Sequence, residues 1–366
     1  MRSLPEYPWD AMTQYAELAS RHADGPLNIS IGSPVDPAPQ SVRDALAAAT
    51  DAHAYPATAG TPLLREAIAE WFLRRRGVTI APEAVLPTIG SKELVALLPF
   101  LLGIGAGEAV VFPRVAYPSY AMGAELVSAE AIASDDPAEW PANTRLVWLN
   151  SPSNPDGRVL NVSALRAAVA RARELGAVIA GDECYAEFGW EAPWDREAIP
   201  SILDPRVVGD DHTGVLSVYS LSKQSNLAGY RAAFVGGDRE LIESLLTMRK
   251  HTGLMQPAPV QAAMVAALQD ETHVDEQRAR YLARRKLLVP ALIAAGFRIE
   301  GSEAGLYLWA TRGEDAWQSV EAFARLGIVV GPGHFYGDDS PQHVRLALTA
   351  SDEHVAEAAA RIAASR

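Results

Sequence analysis

The chain has one cysteine, a shortage of basic residues relative to acidic ones, and no long apolar run. Cys184 is alone among 366 residues, so no disulfide can form within the chain, which suits a reducing compartment. The formal net charge of −13 argues against a general nucleic-acid-binding surface. No run reaches the about 20 apolar residues that span a membrane, and the N-terminal segment lacks the apolar core of a signal peptide. These absences predict a cytoplasmic protein without nucleic-acid or membrane partners.

The sequence also lacks the usual signatures of metal and dinucleotide sites. The eight histidines show no paired metal-ligand spacing. The segment GIGAGE (103–108) has the glycine spacing of a dinucleotide loop, but it follows a helical pattern and precedes a strand-like run. A dinucleotide fingerprint requires the reverse order. The segment is therefore interpreted as the turn that ends a helix, and we expect neither a metal nor a nicotinamide cofactor.

What is present is an alternation of strand-like and helical patterns. The helical pattern at 163–176 begins with Ser163, the expected N-cap, and ends at Gly176. Apolar runs without polar alternation, separated by helices, favour an α/β fold with a mostly parallel sheet flanked by helices. The strand-like runs lie at 109–113, 145–150, 177–182, 214–220 and 231–236.

The pattern changes after residue 270. One long helical segment follows, then short strand-like runs and a final helix. We therefore predict a large domain over 36–270 and a smaller α+β domain. The smaller domain consists of 271–366 together with an N-terminal arm, 1–35.

Polar side chains follow the strand-like runs, where open α/β sheets bind their ligands. Gly90 and Ser91 stand where a helix begins, and the free N–H groups and dipole of a helix N-terminus suit a phosphate. A lysine amine can bond to an aldehyde. The phosphate site, the lysine amine and the polar side chains after the strands together fit a pyridine aldehyde phosphate as ligand. The segments that carry it are PRVAYPSY (113–120), NSPSNPDG (150–157), GDECY (181–185) and SLSK (220–223).

Three sequence blocks in this order resemble the class I, fold-type I aminotransferases that depend on pyridoxal 5′-phosphate (PLP). The resemblance covers nearly the whole chain and implies that family's fold, cofactor and homodimer. The blocks are N-P-x-G (Asn154 to Gly157), D-x-x-Y (Asp182, Tyr185), and S-x-S-K with an arginine eight residues after the lysine (Ser220, Ser222, Lys223, Arg231).

The resemblance also implies roles for individual residues. Lys223 would bond to the PLP aldehyde and move the substrate proton, and Asp182 would pair with the pyridine nitrogen. Tyr185 and Asn154 would bond to the phenolic oxygen, while Tyr117 would stack on the ring. Arg345, Gly32 and Asn154 would bind the substrate carboxylate. The phosphate ligands would be Gly90, Ser91, the Lys92 backbone, Ser220, Ser222, Arg231 and, from the neighbouring subunit, Tyr55.

Each of these residues alone has a simpler explanation. Lys223 fits a solvated turn, Tyr185 and Tyr117 fit packing, and Arg345 fits a salt bridge at a strand edge. Cys184 fits a packed bystander better than a nucleophile. Only the combination of blocks favours the chemistry. Two interpretations also remain for Asn226, which either bonds to a polar substrate tail or caps its turn.

Several segments are similar to the actinobacterial N-succinyl-diaminopimelate aminotransferases (succinyldiaminopimelate transaminases) of lysine biosynthesis. Glutamate would then donate the amino group to N-succinyl-2-amino-6-ketopimelate. Its extra carboxylates need donors beyond Arg345, and the candidates are Lys250, His251 and Arg114. The alternatives are an aminotransferase for another amino acid and keto acid, a carbon–sulfur β-lyase, or a PLP-binding regulator without turnover. The segments are LPEYPWD, GSKELVALLPFLLG, NSPSNPDGRVL, SLSKQSNLAGYRAAFVGGD, RKHTGLMQPAPVQAAM and EAGLYLWATR.

Overall fold

A computed structural model describes residues 8–365, which form three sheets, of seven, four and two strands, with helices packed against them. Strands β1 to β13 are Leu27–Asn28, Val85–Ile89, Ala109–Phe112, Glu130–Ala133, Thr144–Asn150, Val178–Asp182, Val215–Ser220, Ala232–Gly237, Arg298–Ile299, Tyr307–Thr311, Ile328–Val329, Gly331–Pro332 and His343–Ala347. Helices α1 to α13 are Thr13–Ala19, Gln40–Ala48, Pro62–Trp71, Ser91–Leu101, Ser119–Leu126, Val162–Leu175, Pro205–Val208, Leu221–Gln224, Arg239–Thr252, Ala258–Gln269, Thr272–Ala294, Ala316–Arg325 and Asp352–Ala364.

The larger sheet has seven strands in the order β2-β8-β7-β6-β5-β3-β4. Strand β8 runs antiparallel to both of its neighbours, and the other pairings are parallel. Every residue of β7 and β8 is buried, as a sheet covered on both faces requires. The predicted mostly parallel sheet flanked by helices is confirmed.

Local details of this sheet differ from the sequence prediction. Strand β8 begins at Ala232, because Arg231 has a left-handed backbone with φ of 54° and belongs to the preceding turn. Helix α6 has Gly176 at its left-handed C-cap as predicted, but Asn161 rather than Ser163 is its N-cap. The Asn161 side chain accepts the Ala164 N–H, so the Ser163 prediction was wrong.

The smaller sheet contains four antiparallel strands in the order β12-β13-β10-β9. The N-terminal part of the chain joins this region, because β1 pairs in parallel with β11. Helices α11 and α13 pack against each other, as do α1 and α12. None of the helices in residues 8–365 is long and apolar enough to cross a membrane. The same residues contain no cluster of side chains suited to a metal ion.

Candidate active site

A cavity of about 400 Å³ lies at the carboxyl ends of β5, β6 and β7 and reaches the small-sheet strands β10 and β13. It brings together all the residues predicted to bind the cofactor or the substrate α-carboxylate except Gly90 and Tyr55. The predicted residues that line it are Gly32, Ser91, Lys92, Tyr117, Asn154, Asp182, Tyr185, Ser220, Ser222, Lys223, Arg231 and Arg345.

Lys223 lies in the short helix α8, directly after β7. Ser220 caps this helix by accepting the Ser222 N–H, so the strand delivers the lysine to the sheet edge. The Lys223 Nζ donates a hydrogen bond to the Gly32 carbonyl oxygen. Burial lowers the pKa of Lys223, which increases the fraction of neutral amine at a given pH. A neutral amine is the form that attacks an aldehyde.

Asp182 ends β6 and is buried beneath the cavity. Its Oδ2 accepts a hydrogen bond from the Tyr120 hydroxyl at 2.9 Å, and its Oδ1 accepts the Cys184 N–H at 3.3 Å. Burial raises the pKa of Asp182 although these hydrogen bonds oppose the shift. Its hydrogen-bond partners within residues 8–365, Tyr120 and Cys184, carry no positive charge, so a protonated ring nitrogen would compensate its buried charge.

The predicted phosphate end of the cavity combines a helix N-terminus with a guanidinium. Helix α4 begins at Ser91 after Gly90, whose φ is 78°. A Cβ on Gly90 would lie 2.6 Å from Cζ of Arg231, a distance that real Cβ atoms essentially never show. Glycine at this position therefore lets Arg231 lie across the start of the helix, where both features attract a phosphate.

Arg345, from β13, lines the same cavity and is only 3 % exposed. Its Nη1 donates to Asn154 Oδ1 at 2.8 Å, and its Nη2 donates to the Ser30 carbonyl oxygen at 2.7 Å. Its buried Nε has no hydrogen-bond partner among residues 8–365. An unpartnered buried donor carries a desolvation cost, which a bound carboxylate would remove.

Two tyrosines, Tyr185 and Tyr307, lie close together in the wall of the cavity. The hydroxyls of Tyr185 and Tyr307 are 3.5 Å apart. Burial raises the pKa of Tyr185, which keeps its phenol protonated as a hydrogen-bond donor. Burial also acts to raise the pKa of Tyr307, but the positive charges of Arg345 and Lys223, together with the hydrogen bond to Tyr185, outweigh it and the pKa is lowered. The Arg345 Cζ is 4.0 Å from the centre of the Tyr307 ring.

The N-P-x-G loop is held in place by an asparagine outside the motif. Asn150 Oδ1 accepts the Asn154 N–H at 2.7 Å, and Asn150 Nδ2 donates to the Asp182 carbonyl oxygen at 2.9 Å. The ends of β5 and β6 are thereby joined directly below the cavity. This hydrogen bonding positions Asn154 beside Arg345.

Comparisons with known proteins identify the family. The family model "Aminotransferase class I and II" matches residues 25–362. The chain is 56 % identical over 363 residues to 4-dedimethylamino-4-oxo-anhydrotetracycline transaminase OxyQ of Streptomyces rimosus, covering 99 % of this chain and 100 % of OxyQ. The chain is a class I and II aminotransferase. Members of this family depend on PLP.

Other similar proteins are also named as aminotransferases. The probable aminotransferase Rv1178 of Mycobacterium tuberculosis is 52 % identical, over 98 % of this chain and 85 % of that protein. The LL-diaminopimelate aminotransferase of Dehalococcoides mccartyi (strain ATCC BAA-2266) is 30 % identical, over 99 % and 97 % of the two chains. A Neisseria meningitidis aminotransferase crystal structure has a TM-score of 0.88 and 30 % identity, covering 99 % and 97 %.

The residues of this aminotransferase fit PLP by their chemistry. The cavity has a half-buried lysine of lowered pKa, a buried carboxylate, and an arginine beside a helix N-terminus. A second arginine retains an unpartnered nitrogen for a substrate carboxylate. Burial raises the pKa of the Cys184 thiol, which keeps it protonated and agrees with a packed bystander.

Some predicted residues lie outside the cavity of this aminotransferase. Tyr55 is 96 % exposed. Lys250 and His251 are exposed at the end of α9. Asn226 lies outside the cavity lining and donates to Gln277 Oε1 at 2.9 Å and to a backbone carbonyl at 3.3 Å. These contacts and a left-handed φ of 56° favour the turn interpretation of Asn226.

Several residues that line the cavity or support it were not predicted from the sequence. They carry no local motif, although Trp9, Tyr120, Asn150 and Tyr307 lie within segments already singled out. The missed residues are Trp9, Ser30, Tyr120, Asn150, Tyr307, Phe335 and Tyr336.

Proposed function

We propose that this aminotransferase moves an amino group from glutamate to N-succinyl-2-amino-6-ketopimelate in the synthesis of lysine and diaminopimelate. The observation that carries the reaction is the pairing of Lys223 with Arg345 in one cavity, where Arg345 keeps an unpartnered buried Nε. That nitrogen suits the α-carboxylate shared by amino acids and 2-keto acids. The choice of acceptor rests on the sequence resemblance and is supported by similarity to a protein named for diaminopimelate.

The residues around the reacting carbon would have separate roles in binding the substrate and moving its proton. Bound PLP supplies an aldehyde for the substrate nitrogen and a ring that accepts electrons. Arg345 and Asn154 orient the substrate carboxylate, and the Gly32 backbone closes that end of the site. Lys223 Nζ would take the proton from the substrate Cα and deliver it to the carbon that carried the aldehyde, so that the amine is neutral again, and it would carry a proton the opposite way in the second half-reaction. Its lowered pKa favours the neutral base that this step requires.

The remaining predicted residues would hold the cofactor. Asp182 would pair with the pyridine nitrogen, and its partner Tyr120 donates a hydrogen bond that fixes the carboxylate orientation. Tyr185 would donate to the phenolic oxygen, and Tyr117 would cover the ring. The phosphate would be bound by Gly90, Ser91, the Lys92 backbone, Ser220, Ser222 and Arg231.

The proposal includes a cytoplasmic homodimer with shared active sites. Tyr55 would reach the phosphate of the partner subunit, and its 96 % exposure outside its own cavity supports this role. The proposal also includes the domain division at residues 36 and 270. It is supported by the placement of the seven-stranded sheet before residue 270 and the four-stranded sheet after it.

A second candidate acceptor follows from the 56 % identity to OxyQ, whose name specifies an oxo-anhydrotetracycline substrate. This aminotransferase would then act on a polycyclic ketone. The match covers 100 % of OxyQ, so a difference in chain length does not argue against this second acceptor.

An acceptor panel with glutamate as donor tests the proposal. We expect the highest kcat/KM for N-succinyl-2-amino-6-ketopimelate among that compound, 2-oxoglutarate, pyruvate, aromatic keto acids and 4-dedimethylamino-4-oxo-anhydrotetracycline. If the succinylated acceptor ranks last, the substrate proposal is wrong. Release of pyruvate from cysteine or cystathionine, without amino transfer, would instead indicate a carbon–sulfur lyase.

A further inference from the structure

A second cavity of about 400 Å³ adjoins the one that contains Lys223. The two cavities share four wall residues, Tyr117, Pro118, Phe335 and Tyr336. A molecule whose reacting end lies at Lys223 can therefore extend past these side chains. The second cavity offers space for the distal part of a long substrate.

The walls of the second cavity are mostly apolar, and charged groups stand among its lining residues. Among residues 8–365 that line it, Arg114 is the only lysine or arginine. Glu125, Asp338 and Asp339 are its acidic lining residues. The apolar wall consists of Phe112, Ala116, Ala121, Met122, Ala133 and Phe335.

Arg114 and Asp339 form an ion pair between a loop of the larger sheet and a loop of the smaller sheet. Arg114 follows β3 of the larger sheet and Asp339 precedes β13 of the smaller one. The Arg114 Nε is 2.6 Å from Asp339 Oδ2, and the side chains are 49 % and 48 % exposed. The terminal nitrogens of Arg114 have no hydrogen bond to any residue from 8 to 365. An ion pair this exposed contributes only about 0–1 kcal/mol, so a ligand carboxylate can replace Asp339.

We propose that the second cavity binds the distal chain of an extended 2-keto acid, with Arg114 pairing with its terminal carboxylate in place of Asp339. The inference deepens the proposed function and rests on its amino-transfer reaction, but it does not require the succinyl group. Arg345 holds the α-carboxylate and Arg114 holds the far one. The planar guanidinium suits bidentate binding of a carboxylate.

The alternative is that the Arg114–Asp339 pair only fastens the two loops together. The Ala116 N–H also donates to the Tyr336 carbonyl oxygen at 2.8 Å, so these loops are already joined nearby. A fastening role predicts the same effect from removing either charge. A binding role predicts opposite effects, because Asp339 competes with the substrate for Arg114.

The test compares two acceptors of equal chain length, 2-oxosuberate and 2-oxooctanoate, which differ by the terminal carboxylate. The measured quantity is the ratio of their kcat/KM values with glutamate as donor. We expect 2-oxosuberate to be preferred, and Arg114→Gln to lower the ratio about 3- to 10-fold, given the half-exposed site. Asp339→Asn should raise it. Arg145→Gln is the matched control, because Arg145 is 44 % exposed and pairs with Glu108 at 3.0 Å outside both cavities.

Two results would overturn the inference. One is a wild-type ratio near or below one, and the other is a fall in the ratio for both Arg114→Gln and Asp339→Asn. Failure of the substrate proposal gives a different result. In that case the succinylated acceptor ranks last, while the preference for 2-oxosuberate and its dependence on Arg114 persist.

Discussion

The substitution Gly90→Ala tests the predicted phosphate end of the cavity. The new methyl group would lie 2.6 Å from Cζ of Arg231, and φ at this position is 78°. The obstructing atoms belong to the end of a flexible side chain, so the fold can persist if Arg231 moves away. The substitution should therefore remove Arg231 from the phosphate while leaving the residue itself in the chain.

The expected magnitude follows from the contact that is lost. A hydrogen bond to a charged group contributes about 1.5–3 kcal/mol, which corresponds to a weakening of PLP affinity by about 10- to 150-fold. Arg231→Met should produce a loss of similar size. Since both changes remove one interaction, the double variant should be little worse than either single one.

The assay is a titration of apoprotein with PLP, followed by visible absorbance or tryptophan fluorescence. Gly103→Ala is the matched control, because Gly103 has a similar φ of 74° but no atom within 4 Å of the added methyl group. It should share the backbone strain and keep its affinity for PLP. Equal dissociation constants for the two alanine variants, or additive losses in the double variant, would refute the reasoning.

Three further predictions concern charge. Burial lowers the pKa of Lys223 below its ordinary value of 10.5. The rate of colour formation between apoprotein and saturating PLP should therefore reach half its maximum below pH 10.5. A midpoint at or above pH 10.5 would contradict this. Asp36→Asn breaks a pair with Arg284, which is 2 % exposed, and should cost about 3 kcal/mol of stability. Asp352→Asn removes the 67 % exposed partner of Arg284 and should cost less than about 1 kcal/mol; equal thermal unfolding midpoints would refute the difference. Arg345→Lys should lower kcat/KM at least about 10-fold for every amino and keto acid alike, because all of them carry the α-carboxylate. A loss confined to acceptors with a distal carboxylate would show that Arg345 binds that carboxylate instead.

The five central strands of the larger sheet, β3, β5, β6, β7 and β8, could be predicted because their apolar runs are mostly buried. The two edge strands, β2 and β4, were not identified. Pro87 interrupts the first, and the second begins at exposed Glu130 and has no fully buried residue. The N-cap of α6 was misplaced because Asn161 and Ser163 are both good capping residues two positions apart. The folded backbone, rather than residue type, decides between them.

The candidate site could be predicted where chemistry coincides with a sequence block, as at Lys223 and Asp182. Tyr120 could not, because its role depends on packing against a residue 62 positions away. Tyr307 likewise enters the cavity from the smaller sheet, and only the folded chain places it beside Tyr185. The sequence could not distinguish Arg114 from Lys250 and His251 as a ligand for a distal carboxylate. Of the three, only Arg114 lines a cavity next to Lys223.

The most direct test of the account compares two lysines that line the same cavity, Lys223 and Lys92. The PLP-loaded protein is mixed with glutamate, and its visible absorbance is followed before and after a keto acid is added. Wild type and Lys92→Ala should lose the absorbance and regain it, because Lys92 is expected to act through its backbone. Lys223→Ala should show no turnover, and borohydride reduction of wild type should attach the cofactor to the peptide containing Lys223. Appreciable transamination by Lys223→Ala, or cofactor attached to another lysine, would contradict the central claim.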